Sequence, residues 1–150
     1  MDFFPSAAGG LTPSSTQDQD DRARALLERI ATLPAMDREQ VLSFRIRAAR
    51  YVDLLHNLVA AHGNAMKHVS EALQAGDAAA AQQIAHSLRG DAAVLGAAQL
   101  TSAAAELEMK LRLQPCAADV APQIDAVLTQ LWAIADALDM LAPPRDDPGA

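Results

Sequence analysis

The sequence predicts an all-α protein, an antiparallel up-down four-helix bundle with one or two short N-terminal helices. Three observations carry that expectation. Apolar residues recur at i, i+3, i+4 and i+7 through four long segments, the pattern of helices with one buried stripe. The 150 residues are 51% hydrophobic, much of it alanine, and only 3% aromatic, which favours closely packed helices over sheets. Glycine, proline and aspartate separate the segments by short intervals, so each helix must turn back on the last.

Taken in order, residues 1–20 are rich in Gly, Pro, Ser, Thr, Gln and Asp and read as a disordered leader or linker. From Arg22 to Leu33 the apolar residues Leu26, Ile30 and Leu33 share a face, giving a short helix ended by Pro34. Asp37 can cap a second short helix running to about Arg47 and carrying Val41, Leu42 and Phe44. A long helix is expected from about Ala48 to Ala75, with Tyr51, Leu55, Leu58, Ala65, Val69 and Leu73 inward. Gly76 is placed to stop it and Asp77 to cap the next, which Gly96 closes. A further helix from about Ala98 to Gln114 buries Leu100, Ala104, Leu107 and Leu111 before Pro115. The last starts near Asp119, tolerates Pro122 in its first turn, and aligns Ile124, Leu128, Leu131, Ala135 and Leu138. Pro143-Pro144 stops it. The bundle is thus expected over residues 21–142, with 143–150 a disordered tail.

Formal charge is −7, unevenly placed. Residues 1–21 carry four acids and no base, residues 22–115 eleven bases and nine acids, and residues 116–150 six acids and one base. The middle is slightly basic between acidic flanks, and no basic patch of the kind nucleic acid requires stands out. The lone Cys116 excludes an internal disulfide and fits a reducing compartment; beside Pro115 it reads as a loop thiol. No signal segment opens the chain and no stretch could span a bilayer, so a cytoplasmic protein without direct membrane contact is expected.

The chemistry concentrates between Asp77 and Leu95. Ala81, Ile84, Ala85, Leu88, Ala92 and Leu95 form the buried stripe, and at about 100° per residue His86 points roughly 140° away from its centre. His86 is therefore an outward histidine. One turn away lie Gln82, Gln83, Arg89 and Gly90, and two turns away Ala79 and Ala93. Glycine inside a helix costs about 1 kcal/mol relative to alanine, so Gly90 requires a reason. The simplest is close approach to the histidine, which a side chain there would block. An exposed imidazole on a patch of small residues, with a guanidinium beside it, fits a phosphate carrier read by a docking partner. His56, His62 and His68 sit six apart, make no i, i+4 pair for a metal, and are expected on the surface. Trp132 and Met140 are expected in core or edge packing.

His86-Ser87-Leu88-Arg89-Gly90, followed by Leu95-Gly96-Ala97, Leu100 and Leu107-Glu108, resembles the signature of bacterial histidine phosphotransfer domains. That pattern is a histidine, three residues, a glycine, small residues, a Leu-Gly-Ala turn, and a Leu-Glu on the next helix. The resemblance covers roughly residues 35–141, its specific part about thirty residues. It implies a phosphocarrier without kinase activity of its own, relaying a phosphoryl group between receiver-domain aspartates in a two-component phosphorelay. His86 would be the phosphoacceptor, with Arg89, Gly90, Gln82, Gln83, Ala93 and Ala79 as the docking patch. Response-regulator receiver domains and a hybrid histidine kinase are the implied partners, magnesium comes from the receiver, and the chain needs no cofactor. A monomer is expected. Three positions depart from the pattern: Arg89 where lysine is usual, Asp91 where a small residue is usual, and Val94 where a small polar residue is common.

Two other classes compete. A sensor-kinase dimerisation helix pair also exposes a histidine, but an acidic residue usually follows it and a proline soon after; Ser87 and Asp91 do not fit. A structural or adaptor bundle would use the same helices without phosphotransfer. Two settings fit the leader: a free-standing carrier, or the carboxyl end of a hybrid kinase joined by a linker.

Overall fold

Turn chemistry sets the helix boundaries. The computed structural model describes residues 13–113 and 117–141. Six helices follow in order: α1 (Pro13–Ala31), α2 (Arg38–Leu42), α3 (Ala48–Gln74), α4 (Ala78–Val94), α5 (Ala98–Leu113) and α6 (Ala117–Leu141). A 3-10 turn, Arg45–Arg47, links α2 to α3. Gly76 and Gly96 take φ of 78° and 77°, the left-handed conformation that only glycine adopts freely. At both, the six-residue return bond of a helix end forms, Asp77 N to Ala72 O at 2.7 Å and Ala97 N to Ala92 O at 3.0 Å. Asp77 then caps α4 by accepting from Ala80 N at 3.0 Å, and Asp37 caps α2 by accepting from Gln40 N at 3.2 Å.

Such short turns force consecutive helices antiparallel. α4 packs between α3 and α5, and α6 closes the ring against α5 and α3, giving the expected four-helix bundle. Tyr51, Leu55, Met66 and Val69 of α3 meet Leu88 of α4, Leu107 and Leu111 of α5, and Val127 and Leu131 of α6 in one core. The stripe of α4 is mostly alanine, with Ala81, Ala85 and Ala92 fully buried around Leu88. Small side chains bring this helix close to its neighbours. α1 lies outside the ring, with Leu26, Leu27, Ile30 and Ala31 buried chiefly against α3 and more lightly against α6.

Several expectations change. α1 begins at Pro13, so residues 13–20 are helix rather than leader, and at 19 residues it is not short. Residues 16–20 are all exposed; periodicity registers burial, and a helix touching nothing leaves no stripe to read. Local bonds hold it instead, such as Gln17 Nε2 donating to Asp21 Oδ1 at 3.1 Å. The second short helix ends at Leu42, and the 3-10 turn takes over at Arg45. Pro122 falls in the second turn of α6, because the helix starts at Ala117 rather than near Asp119. Trp132 is 61% exposed, not packed. Residues 1–12, Pro115, Cys116 and the tail from 143 lie outside the described residues, as does the side chain of Met140. Among the described residues no helix is long and apolar enough to cross a membrane.

Candidate functional site

α4 turns His86 outward, with 56% of its side chain exposed. One nitrogen is nevertheless fixed: Nδ1 lies 3.0 Å from Oε2 of Glu108 on α5. A carboxylate in that position accepts from Nδ1–H, leaving the other ring nitrogen, Nε2, with the lone pair. Glu108 itself is only 8% exposed, at the rim of the α5 stripe beside Leu107 and Leu111. Burying a carboxylate is costly without partners, and cations supply them. Arg89 Nε of α4 approaches Oε1 to 3.3 Å and Arg112 of the next α5 turn approaches Oε2 to 3.7 Å. Oε1 accepts no well-aligned hydrogen bond, so Arg89 holds it by charge rather than by geometry. The result is an α4–α5 clamp: a buried carboxylate holds an exposed imidazole and a half-exposed guanidinium side by side.

The rest of the expected patch lies around this clamp on α4. Ala79, Gln83, Gly90 and Ala93 are exposed, while Gln82 and Arg89 are half-buried. A Cβ added at Gly90 would meet nothing within 4 Å. The space there is open, as close approach requires. Arg89 is shared: its Nε serves Glu108, so it orients the site besides lending charge to it.

In the sequence reading Glu108 has no part in the site, although it completes the Leu107-Glu108 pair of the family pattern. The signal lay in the spacing Ala104, Leu107, Glu108, Leu111, which puts a charge on a buried stripe. Such a charge needs partners, and the facing helix is where they would be found.

The second correction concerns His62, expected on the surface. It is 7% exposed, and its Nε2 lies 2.9 Å from Oδ2 of Asp91. Its Nδ1 is buried with no partner. Asp91, one of the departures from the family pattern, thus tethers α4 to α3. His56 is half-buried and His68 exposed. Among the described residues no group of three or more His, Cys, Asp or Glu could hold a metal ion.

Two side chains seat the far end of α4. Tyr51 Oη donates to Leu95 O at 2.7 Å with its ring stacked on Phe44, and burial pushes its phenol well above the ordinary range. Gln40 Nε2 donates to Ala93 O at 2.6 Å, which also accepts from Gly96 N at 3.2 Å, and to Val94 O at 2.9 Å, adding a side-chain donor where the helix's own ladder ends.

Fold and site together define a small helical bundle presenting one oriented, solvent-facing histidine. The Hpt domain family matches residues 48–139, most of the chain, and the chain belongs to that family. No curated protein and no solved structure matches it significantly. Hpt domains serve histidine phosphotransfer in phosphorelays, as phosphocarriers rather than kinases, alongside receiver domains and histidine kinases. The sensor-kinase alternative loses its footing here, since a dimerisation pair completes its bundle with a second chain and this chain closes four helices alone.

Proposed function

We propose that His86 accepts a phosphoryl group from the aspartyl phosphate of a receiver domain and passes it to a second receiver. The observation that carries this reading is the Glu108 clamp, which fixes one nitrogen of a ring that is 56% exposed, one helical turn from a Gly90 with open space around it. The lone pair of Nε2 attacks phosphorus as the phosphorus–oxygen bond to the receiver's carboxylate breaks, and that carboxylate leaves with the electron pair. The ring gains positive charge, which Glu108 stabilises while keeping the Nδ1 proton. Arg89, beside the ring, offsets the negative phosphoryl oxygens. Transfer onward is the reverse, onto another aspartate.

The receiver supplies magnesium and the acidic pocket; this chain supplies a positioned nucleophile and acts as a monomer. Gln82, Gln83, Ala79, Gly90 and Ala93 form the surface on which the receiver rests. A cytoplasmic setting and a hybrid kinase upstream fit the same chemistry.

Incubation with a phosphorylated receiver should label the protein with a phosphate stable to base and labile to acid. His86→Gln should abolish the label with helicity unchanged. Undiminished labelling of that variant would overturn the assignment and point to His56, His62 or His68, whereas no label on the unaltered chain would leave a structural bundle as the reading. With ATP and magnesium alone the chain should stay unlabelled.

A further inference from the structure

We propose that the corner between α2 and α3 is a peripheral attachment surface for an anionic lipid bilayer. Arg24 of α1 and Arg45, Arg47 and Arg50 line one shallow cavity of about 110 Å³ there, with Ile46 at its rim. Arg45, Arg47 and Arg50 are exposed and, among the described residues, ion-pair with no carboxylate. The concentration runs against the chain's composition: residues 38–50 hold four arginines and one acid, Glu39, in a protein of net charge −7.

Ile46 decides the kind of partner. It is 95% exposed, in a 3-10 turn with an arginine on each side. A lone exposed apolar residue is ordinary. One ringed by cations and carried on a tight turn has the make-up of a group that enters the headgroup boundary while its neighbours bind phosphates. A protein interface fits less well, because its core is depleted of charge and needs a contiguous apolar patch, which one isoleucine does not provide. The remaining acidity of the chain opposes this weakly, since exposed charges beyond about 8 Å are screened at physiological salt. Asp20 in the cavity lining, Asp21, which pairs with Arg24 at 3.4 Å, and Glu39 and Asp53 nearby in sequence blunt the patch without cancelling it.

The arrangement also leaves the candidate site usable. α1 and the arginine corner lie on the α3 side of the ring, whereas His86 and Glu108 bridge α4 and α5. A bilayer on the first side leaves the histidine facing water. No direct membrane contact was expected from the sequence because no segment could span. That excludes crossing the membrane, not resting on it.

The full chain should co-sediment with equimolar phosphatidylcholine–phosphatidylglycerol vesicles but not with phosphatidylcholine vesicles. At about fivefold in partitioning per arginine, R45Q/R47Q/R50Q should weaken binding roughly a hundredfold. Ile46→Asp should weaken it further than Ile46→Ser, with the helical circular dichroism of all variants unchanged. Equal binding to neutral vesicles, or no binding to either kind, would overturn the proposal. Indifference to Ile46→Asp would overturn the insertion of Ile46. Capture by soluble polyglutamate in place of vesicles would reassign the corner to an acidic protein.

Discussion

α4 is held to its two neighbours by the same chemical pair used in opposite ways. Toward α5, an exposed imidazole meets a buried carboxylate, His86 with Glu108 at 3.0 Å. Toward α3, a buried imidazole meets an exposed carboxylate, His62 with Asp91 at 2.9 Å. Distance does not separate them; burial does. When the carboxylate is inside, its orientation is fixed by the core and the ring it holds stays open to a reactant. When the ring is inside, the protein spends it on cohesion, and the exposed acid is merely its tether. Which partner faces water therefore decides whether a histidine–carboxylate contact leaves its ring accessible.

The comparison can be broken most severely at Glu108. Glu108→Gln keeps shape and removes the charge that orients and stabilises the ring, and misplacement by about 1 Å can cost on the order of a hundredfold in transfer. Single-turnover transfer from a phosphorylated receiver measures this, and unchanged rates would make the clamp incidental. His62→Gln, by contrast, should keep its phosphate label.

Gly90→Leu tests the open side of the same ring. It should slow transfer by up to a comparable factor while the thermal melt holds, and Ala93→Leu should show a weaker version. Gly90→Ala should gain up to about 1 kcal/mol. Unfolding of the leucine variant would mean that Gly90 is buried, contrary to its open surroundings.

The α3 side should respond in stability alone. Asp91→Ala strands His62 Nε2 and should cost about 1–3 kcal/mol in denaturant unfolding, and a paired His62→Leu should recover part of that loss. A transfer defect as large as that of Glu108→Gln would erase the contrast between the two pairs.

Tyr51 provides the gentlest perturbation, a buried hydrogen bond on the same helix without an ion pair. Its phenol is raised above its ordinary value of 10.0 by burial, so its contribution is present below that pH. As pH rises past it the unfolded chain loses the proton first, and stability falls until the raised value is passed. Tyr51→Phe should cost about 1 kcal/mol at neutral pH and flatten the alkaline fall.

The four long helices were legible because each buries a continuous stripe closed by glycine or proline, and helical phase put His86 outside correctly. What the sequence hid was pairing between helices. His62 falls on the inward line of α3 with Leu55, Leu58, Met66 and Val69, and its six-residue spacing from His56 and His68 argues only against a metal pair, not against burial. Asp91 stood out only as a departure from a pattern. Neither residue reveals the other, because a partner on a neighbouring helix has no fixed spacing in the chain. The exposed start of α1 was hidden for a different reason: its hydrogen bonds are local and its side chains face water.

The seat of α4 has one more consequence. Asp37 N donates to Gly96 O at 2.8 Å, Gln99 N to Ala35 O at 3.0 Å, and Gln40 reaches Ala93 and Val94. A Cβ at Gly96 would press on Gln40 and Val41 at 3.3 Å, so that turn is shaped to receive them. All of these fastenings come from residues ahead of Ala48, where the family match begins. A fragment trimmed to the stretch of kinship would keep the histidine and the bond from Tyr51 to Leu95 O, and lose these other fastenings of its helix. The stretch that carries the kinship and the contacts that seat the histidine's helix cover different lengths of this chain.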